Sequence, residues 1–361
     1  MKGVPFNLGV IGKMKLFVFI TICAFPHVIT ENPQSHRTLL PNVLVLDVDG
    51  TLSQHPLSCL EFPDELLRGP AENQDIVWKI NEVEQVQRGN VHSIRLLESK
   101  GGGNYTCHSK DGSLLNYTEV LIRLVDTKRR RILVKTEKDY LKCSAQSYSG
   151  EFHCSWTWHS SRAVKVAFVK VHRASDENKT QCSTDASGRQ WKCSSAESNF
   201  SCSLVDDGQS ISCWDERHCP YAEEIQQIFI TVHMRTKHYL LESYSKLFFL
   251  SEIVKPDKVR IGKVNKTVVQ WSYPSSWNRP YSYFPLTFQV TQLKSQCKKC
   301  GNPCSDSNPS MTLTNDVTDI CQFRVKSKAK AVCVRAKDAF CNSQWSEWSH
   351  LKFIEAKLKE D

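Results

Sequence analysis

The chain has 361 residues, 16 cysteines and a formal net charge of +9. That length predicts two or three domains at roughly 100–150 residues each, and 24% charged with 40% hydrophobic residues excludes wholesale disorder. So many cysteines fit an oxidising compartment better than a reduced cytosolic enzyme, and the mild, dispersed positive charge does not point to nucleic acid.

Lys13 and Lys15 precede an apolar run over residues 16–25, which is too short to span a bilayer. This reads as a signal peptide over residues 1–30, cleaved after Thr30, with Met14 an alternative start. Its removal takes three lysines, no acid and Cys23, so the charge falls to +6 and 15 cysteines remain. An odd number in a secreted chain implies a free thiol or a bond to another chain. No later apolar run reaches the length of a membrane helix, so a secreted, extracellular protein without membrane insertion is expected.

Short β-branched or alternating runs then recur over 43–48, 91–97, 120–125, 164–171, 228–234, 267–273, 286–293, 323–325 and 331–336. No long stretch shows a 3.6-residue amphipathic repeat, so the fold is expected to be all-β and built of sandwiches. The basic stretch 126–131 and the Lys255-Pro256-Asp257 step divide the chain into segments 31–127, 128–254 and 255–361.

The first segment carries Cys59, Trp78, Tyr105 and Cys107. Cys…Trp…Tyr-x-Cys is the immunoglobulin pattern, in which a disulfide joins two sheets, a tryptophan packs on it and a tyrosine closes a corner. The Cys-to-Trp interval of 19 predicts an extended loop around 61–74. In the same segment, the run 43–52 ends in Asp47-Val48-Asp49-Gly50-Thr51 and resembles the first motif of haloacid-dehalogenase-type phosphatases. There Asp47 would be a nucleophile, Asp49 an acid–base and Mg²⁺ the metal, with Asp206-Asp207 imitating a later acidic pair. The alternating β and α elements of that fold are missing, so no enzyme, cofactor or metal is expected. Cys297, Cys300, Cys304 and Cys321 have the look of zinc thiolates, but disulfides are the expected state in a secreted chain.

In the second segment Cys143 is followed, after ten intervening residues, by Cys154-Ser155-Trp156, and the third segment closes on Trp345-Ser346-Glu347-Trp348-Ser349. Alternation puts Val332, Val334 and Ala336 inward and Arg335 and Lys337 outward; in the run around Phe323 it puts Arg324 and Lys326 outward. Cations from these two runs can interleave with Trp345 and Trp348, each contact contributing about 0.5–1 kcal/mol. Together these elements resemble the haematopoietic cytokine-receptor homology region. The resemblance implies an immunoglobulin-like domain followed by two fibronectin type III-like sandwiches joined at an elbow, with a structural role for the Trp-Ser motif.

A receptor would continue into a membrane helix, whereas this sequence ends twelve residues after Ser349. Further pieces are similar to the interleukin-12 beta-subunit family, whose beta chain is shared with interleukin-23. They are Asn104-Tyr105-Thr106-Cys107-His108, Tyr140-Leu141-Lys142-Cys143, Tyr148-Ser149-Gly150-Glu151-Phe152-His153-Cys154, Cys219-Pro220-Tyr221-Ala222-Glu223-Glu224, Ser282-Tyr283-Phe284-Pro285-Leu286 and Val334-Arg335-Ala336-Lys337-Asp338. The resemblance implies a secreted, receptor-like beta subunit, disulfide-linked to a four-helix-bundle alpha subunit and presented to a type I cytokine receptor. A soluble decoy holding its ligand noncovalently is the alternative. It also implies Cys143–Cys154 and Cys182–Cys213, leaving Cys193 and Cys202 as an added local pair beside Cys59–Cys107, and Cys219 as the interchain cysteine. Sequence alone leaves the connectivity open, above all among Cys297, Cys300, Cys304, Cys321, Cys333 and Cys341, which are enough for three internal bonds.

In that family the elbow holds the helical partner, with aromatic anchors and an acid around a partner arginine. The matching positions are Tyr148, Glu223, Tyr283, Asp338 and Phe340, the last standing where the family has a tyrosine. Five Asn-x-Ser/Thr sequons, at Asn104, Asn116, Asn178, Asn199 and Asn265, fit secretion, with Asn104, beside the buried tyrosine corner, the one least expected to carry a glycan. The basic stretch 128–131 and the lysines at 294, 298, 299, 326, 328 and 330 fit either solvated surface or a sulfated glycan such as heparan sulfate. A homodimer is the alternative assembly to the heterodimer.

Overall fold

Period-two alternation lets one strand face pack while the other stays wet. The computed structural model describes residues 37–60, 76–97, 100–125, 131–159, 164–218, 226–265, 267–294, 312–341 and 343–353. The described residues are nearly all β, and their five sheets group into three successive bodies.

The first body contains β1 (Arg37–Leu40), β2 (Val43–Val48), β3 (Ser53–Ser58), β4 (Val77–Ile80), β5 (Val83–Arg88), β6 (Val91–Leu96), β7 (Gly103–His108) and β8 (Leu114–Leu124). β3 and β6 pair as one sheet, and β5-β4-β7-β8 with β2 and β1 form the other. Leu57, Ile94 and Leu96 meet Leu46, Trp78, Tyr105 and Ile122 in a common core. Cys59 bonds Cys107 between the sheets; Trp78 lies opposite Cys107 in the β4–β7 ladder. The Tyr105 hydroxyl donates to the Gly101 carbonyl at 2.8 Å, the corner that the Tyr-x-Cys spacing predicts. β2 is buried on both faces: Leu44, Leu46 and Val48 join this core, while Val45 packs with Leu121 and Leu241. That double burial explains the apolar run over 43–46.

The second body contains β9 (Lys142–Ser144), β10 (Glu151–Ser155), β11 (Val164–Arg173), β12 (Gln181–Thr184), β13 (Gln190–Ser194), β14 (Asn199–Val205), β15 (Ser210–Asp215), β16 (Ile228–Thr236) and β17 (Leu240–Phe248). One sheet runs β12-β13-β14-β15-β10-β9, and β11-β16-β17 belong to the other. Phe152 bridges the two, meeting Phe248 edge-on at 5.5 Å and Phe200 at 6.5 Å. The β11-β16-β17 sheet is continuous with the first body. β7 leaves β8 at Gly103, and β17 takes its place through Leu240–Ile122 and Leu241–Arg123 pairing. Gly102 sits at this handover, where a Cβ would lie 2.6 Å from Tyr239 Cβ, so only glycine admits the approach. Glu119 and Arg235 pair across the same junction at 2.9 Å.

The pairing Cys182–Cys213 and Cys193–Cys202 does not form. Cys182 bonds Cys193, and Cys202 bonds Cys213. Each pair is directly opposed on adjacent strands, as is Cys143–Cys154. β12 and β15 are three strand positions apart, roughly 14 Å at the usual strand spacing, and a disulfide cannot span that.

The third body follows α1 (Leu250–Ile253) and contains β18 (Arg260–Lys263), β19 (Val268–Ser272), β20 (Leu286–Leu293), β21 (Thr312–Thr318), β22 (Gln322–Arg324), β23 (Ala331–Asp338) and β24 (Ser349–Lys352). Its sheets are β18-β19-β22 and β21-β20-β23-β24. Cys333 is disulfide-bonded, whereas Cys321 keeps its thiol, so the six cysteines expected to form three internal bonds do not all pair. Cys297, Cys300 and Cys304 lie outside the described residues. The second and third bodies share one core, which runs through Tyr148, Val254, Val259 and Trp277.

Candidate partner-binding site

The connection between the second and third bodies is hydrogen-bonded on both sides. Lys255 N donates to Ala145 O at 2.7 Å and Ala145 N to Ile253 O at 2.9 Å, while Gln344 N donates to Val254 O at 2.9 Å. Above this seam Tyr148, only 3% exposed, packs edge-on against Phe284 at 4.9 Å and Trp277 at 5.8 Å. Trp277 Nε1 in turn donates to Phe284 O at 2.8 Å, which pins the 278–284 loop.

Asp338 ends β23 and is fully buried. Its Oδ1 accepts from Phe340 N at 2.7 Å and Cys341 N at 3.0 Å, and its own N–H donates to Ser343 Oγ at 2.9 Å. This Asx-type turn projects Phe340 outward, 75% exposed. Asp338 Oδ2 is buried and meets no hydrogen-bond donor among the described residues. The Tyr148 hydroxyl is also buried and completes no hydrogen bond of good geometry. Burial above all, then the Cys341 sulfur and Asp338, push its pKa well above the ordinary phenol value. The fold therefore brings Tyr148, Asp338 and the Phe340 turn together. Tyr283 lies on the neighbouring loop with the Arg279 guanidinium 5.3 Å over its ring. Cys219 and Glu223 lie outside the described residues. Trp277, Phe284 and Cys341 complete the cluster; the aromatic spacing around Tyr283 is the signal that points to the first two.

The Trp-Ser motif flanks the same seam. Arg335 stacks 4.8 Å from Trp345 and 4.5 Å from Trp348, and Lys337 sits 5.1 Å over Trp345. Arg324 does not join this ladder, because β22 pairs with β19 in the opposite sheet; both cations come from β23. Ser346 binds Ala336 in both directions, N to O at 2.7 Å and Ala336 N to Ser346 Oγ at 2.9 Å. Glu347 pairs with Lys255 of the connection.

The phosphatase-like aspartates are spoken for structurally. Asp47 accepts two 2.6 Å bonds from Arg123, and Asp49 caps its own turn through Thr51 N and Oγ1 at 2.9 and 2.6 Å. Both carboxylates are thus engaged in contacts that hold the strand and its turn.

An immunoglobulin-patterned body, two further β bodies, the Cys-x10-Cys-x-Trp hairpin and the cation–tryptophan ladder define a chain built like the extracellular part of a cytokine receptor. The family described as the cytokine interleukin-12p40 C-terminus matches residues 138–236. Interleukin-12 subunit beta of Sigmodon hispidus is 31% identical over 291 residues, covering 77% of this chain and 83% of the relative. That of Marmota monax is 32% identical over 331 residues, 85% and 90% of the two chains, and that of Homo sapiens 29% over 294, 77% and 82%. The chain belongs to the interleukin-12 subunit beta family. It is a cytokine subunit and not an enzyme.

Proposed function

We propose that the chain is the secreted, receptor-like beta subunit of a heterodimeric cytokine. It holds a four-helix-bundle alpha subunit at the elbow, bonds it through Cys219 and presents the pair to a type I cytokine receptor. The observation that carries this reading is Asp338: a fully buried carboxylate whose Oδ2 completes no hydrogen bond of good geometry among the described residues, with the Tyr148 hydroxyl as a neighbour and an exposed phenylalanine on the same turn. A buried carboxylate whose hydrogen bonding is incomplete costs free energy in the isolated chain, and a partner cation reaching it would offset part of that cost. Phe340, Tyr283 and Glu223 are the further contacts of the proposed interface. The same reading takes residues 1–30 as the leader and 31–127, 128–254 and 255–361 as the domains, in keeping with a first core separate from the shared second. Co-expression with four-helix alpha chains, run on non-reducing and reducing gels, tests it: a reducible heterodimer supports the subunit, whereas noncovalent capture alone supports a decoy.

A further inference from the structure

The first body carries a histidine where the alternation of its core calls for an apolar residue. On β6 the inward positions are His92, Ile94 and Leu96, and His92 is 6% exposed. It sits opposite Leu57 in the β3–β6 ladder, with its ring 5.4 Å from that of Trp78 and 5.8 Å from that of Tyr105. Neither neighbour's polar hydrogen serves it. Trp78 Nε1 donates to Gly89 O at 2.8 Å, and the Tyr105 hydroxyl is committed to Gly101 O. His92 Nδ1 is buried and meets no hydrogen-bond partner among the described residues.

Among the described residues no carboxylate faces this ring. The titratable groups on the inward side are Tyr105 on β7 and His55 on β3, two positions from Leu57. The other charged or titratable side chains of the surrounding strands turn outward. Lys79 alternates with Trp78, Arg95 with Ile94 and His108 with Cys107; Glu84 pairs with Arg88, Asp47 with Arg123 and Glu119 with Arg235. Burial holds the His92 imidazole below its ordinary value. Aromatic faces attract a cation. An imidazolium here, however, would bring a second N–H donor into a core that offers Nδ1 no acceptor and no anion to balance the charge.

We infer that the first body is an acid-sensitive module: protonation of His92 in a mildly acidic compartment loosens its sandwich, while the core shared by the second and third bodies stays closed. The two cores are separate clusters. They are linked by the β8–β17 pairing and by the small cluster of Val45, Leu121 and Leu241, so the first can open by itself. Above the unfolded-state value of about 6.5 both states hold a neutral ring and the stability is complete. As pH falls below it, the unfolded chain gains a proton that the folded core resists, and stability is lost. At about pH 5.5 an unfolded histidine is roughly nine-tenths charged, so the folding constant of the first body drops by up to about tenfold.

The test uses the full-length chain. Urea midpoints of the first body, read by hydrogen-exchange mass spectrometry of peptides from β6 and β7, are compared at about pH 7.5 and about pH 5.5 between the parent, His92→Phe and His92→Leu. Between the two pH values the parent is expected to lose about three- to tenfold more of its first-body folding constant than either variant, with no such difference in peptides from β16 and β20. Equal losses in parent and variants would overturn the proposal, as would a loss that vanishes with His55→Gln instead. A matching change in β16 and β20 would overturn the separate opening of the first body. Exchange of the His92 imidazole C2 hydrogen across pH reads the same proton in the parent without any substitution. Its midpoint is expected below that of the same histidine in the urea-unfolded chain, and a midpoint at or above it would overturn the proposal whatever the variants do.

Discussion

At Asp338 the backbone does part of what a cation would otherwise do. Two N–H groups hold Oδ1 while Oδ2 waits in a buried setting. Asp338→Asn keeps one acceptor for those N–H groups and removes the charge, so the fold survives while assembly weakens by about 2–5 kcal/mol; a titration of alpha-chain binding reads this out. Asp338→Ala additionally strands two donors and lowers the stability of the free chain. Tyr105 supplies a second test. Burial pushes its phenol up to about 12 in the folded chain, against about 10 when unfolded. Its contribution to stability is therefore complete below pH 10 and is lost as pH rises towards 12. Tyr105→Phe should cost about 1 kcal/mol at pH 8 by losing the corner hydrogen bond. Between pH 9 and 11.5 it should lose less stability than the parent, as followed by urea midpoints. The corner was legible from a two-residue spacing. The burial of Tyr148 was not, because it depends on Trp277 and Phe284 arriving from another body. Asn104, beside Tyr105, is exposed, since alternation turns the residue before an inward tyrosine outward.

The strands were largely readable as elements, because their alternation is local: 164–171, 286–293 and 331–336 all lie within strands. Which strands become neighbours was not. The disulfides between adjacent strands and the absence of Arg324 from the tryptophan ladder are both errors of strand adjacency, which is set by hairpin order and by sheet-to-sheet packing. Each of the three hairpin disulfides closes an 11-residue separation and is worth about 3 kcal/mol in the chain-entropy account. The β8–β17 handover is another non-local feature, and it gives a prediction at this scale. Gly102→Val drives a side chain into Tyr239 and should destabilise the chain by about 1–3 kcal/mol. Chemical denaturation measures this, and an unchanged midpoint would mean that the two bodies do not depend on that contact.

Across the whole molecule the arrangement is a first body continuous with the second through one sheet, and a second body sharing its core with the third. The Trp-Ser motif is part of that arrangement, because Gln344 and Glu347 bind the connection at Val254 and Lys255. Hydrogen bonds on both sides of the connection set the elbow angle, and with it the positions of Tyr148 and Asp338 before any partner arrives, which lowers the ordering cost of binding. The composition of the chain and its motifs point to an all-β chain; the joints between its sheets come only from the fold. The central claim is that this prearranged elbow carries a second, covalently attached chain. The most direct measurement is co-expression with a four-helix alpha chain, parent beside Cys219→Ser, on paired non-reducing and reducing gels. The account predicts a reducible heterodimer for the parent and a noncovalent complex for Cys219→Ser; a partner still covalently attached to Cys219→Ser, or none attached to the parent, would contradict it.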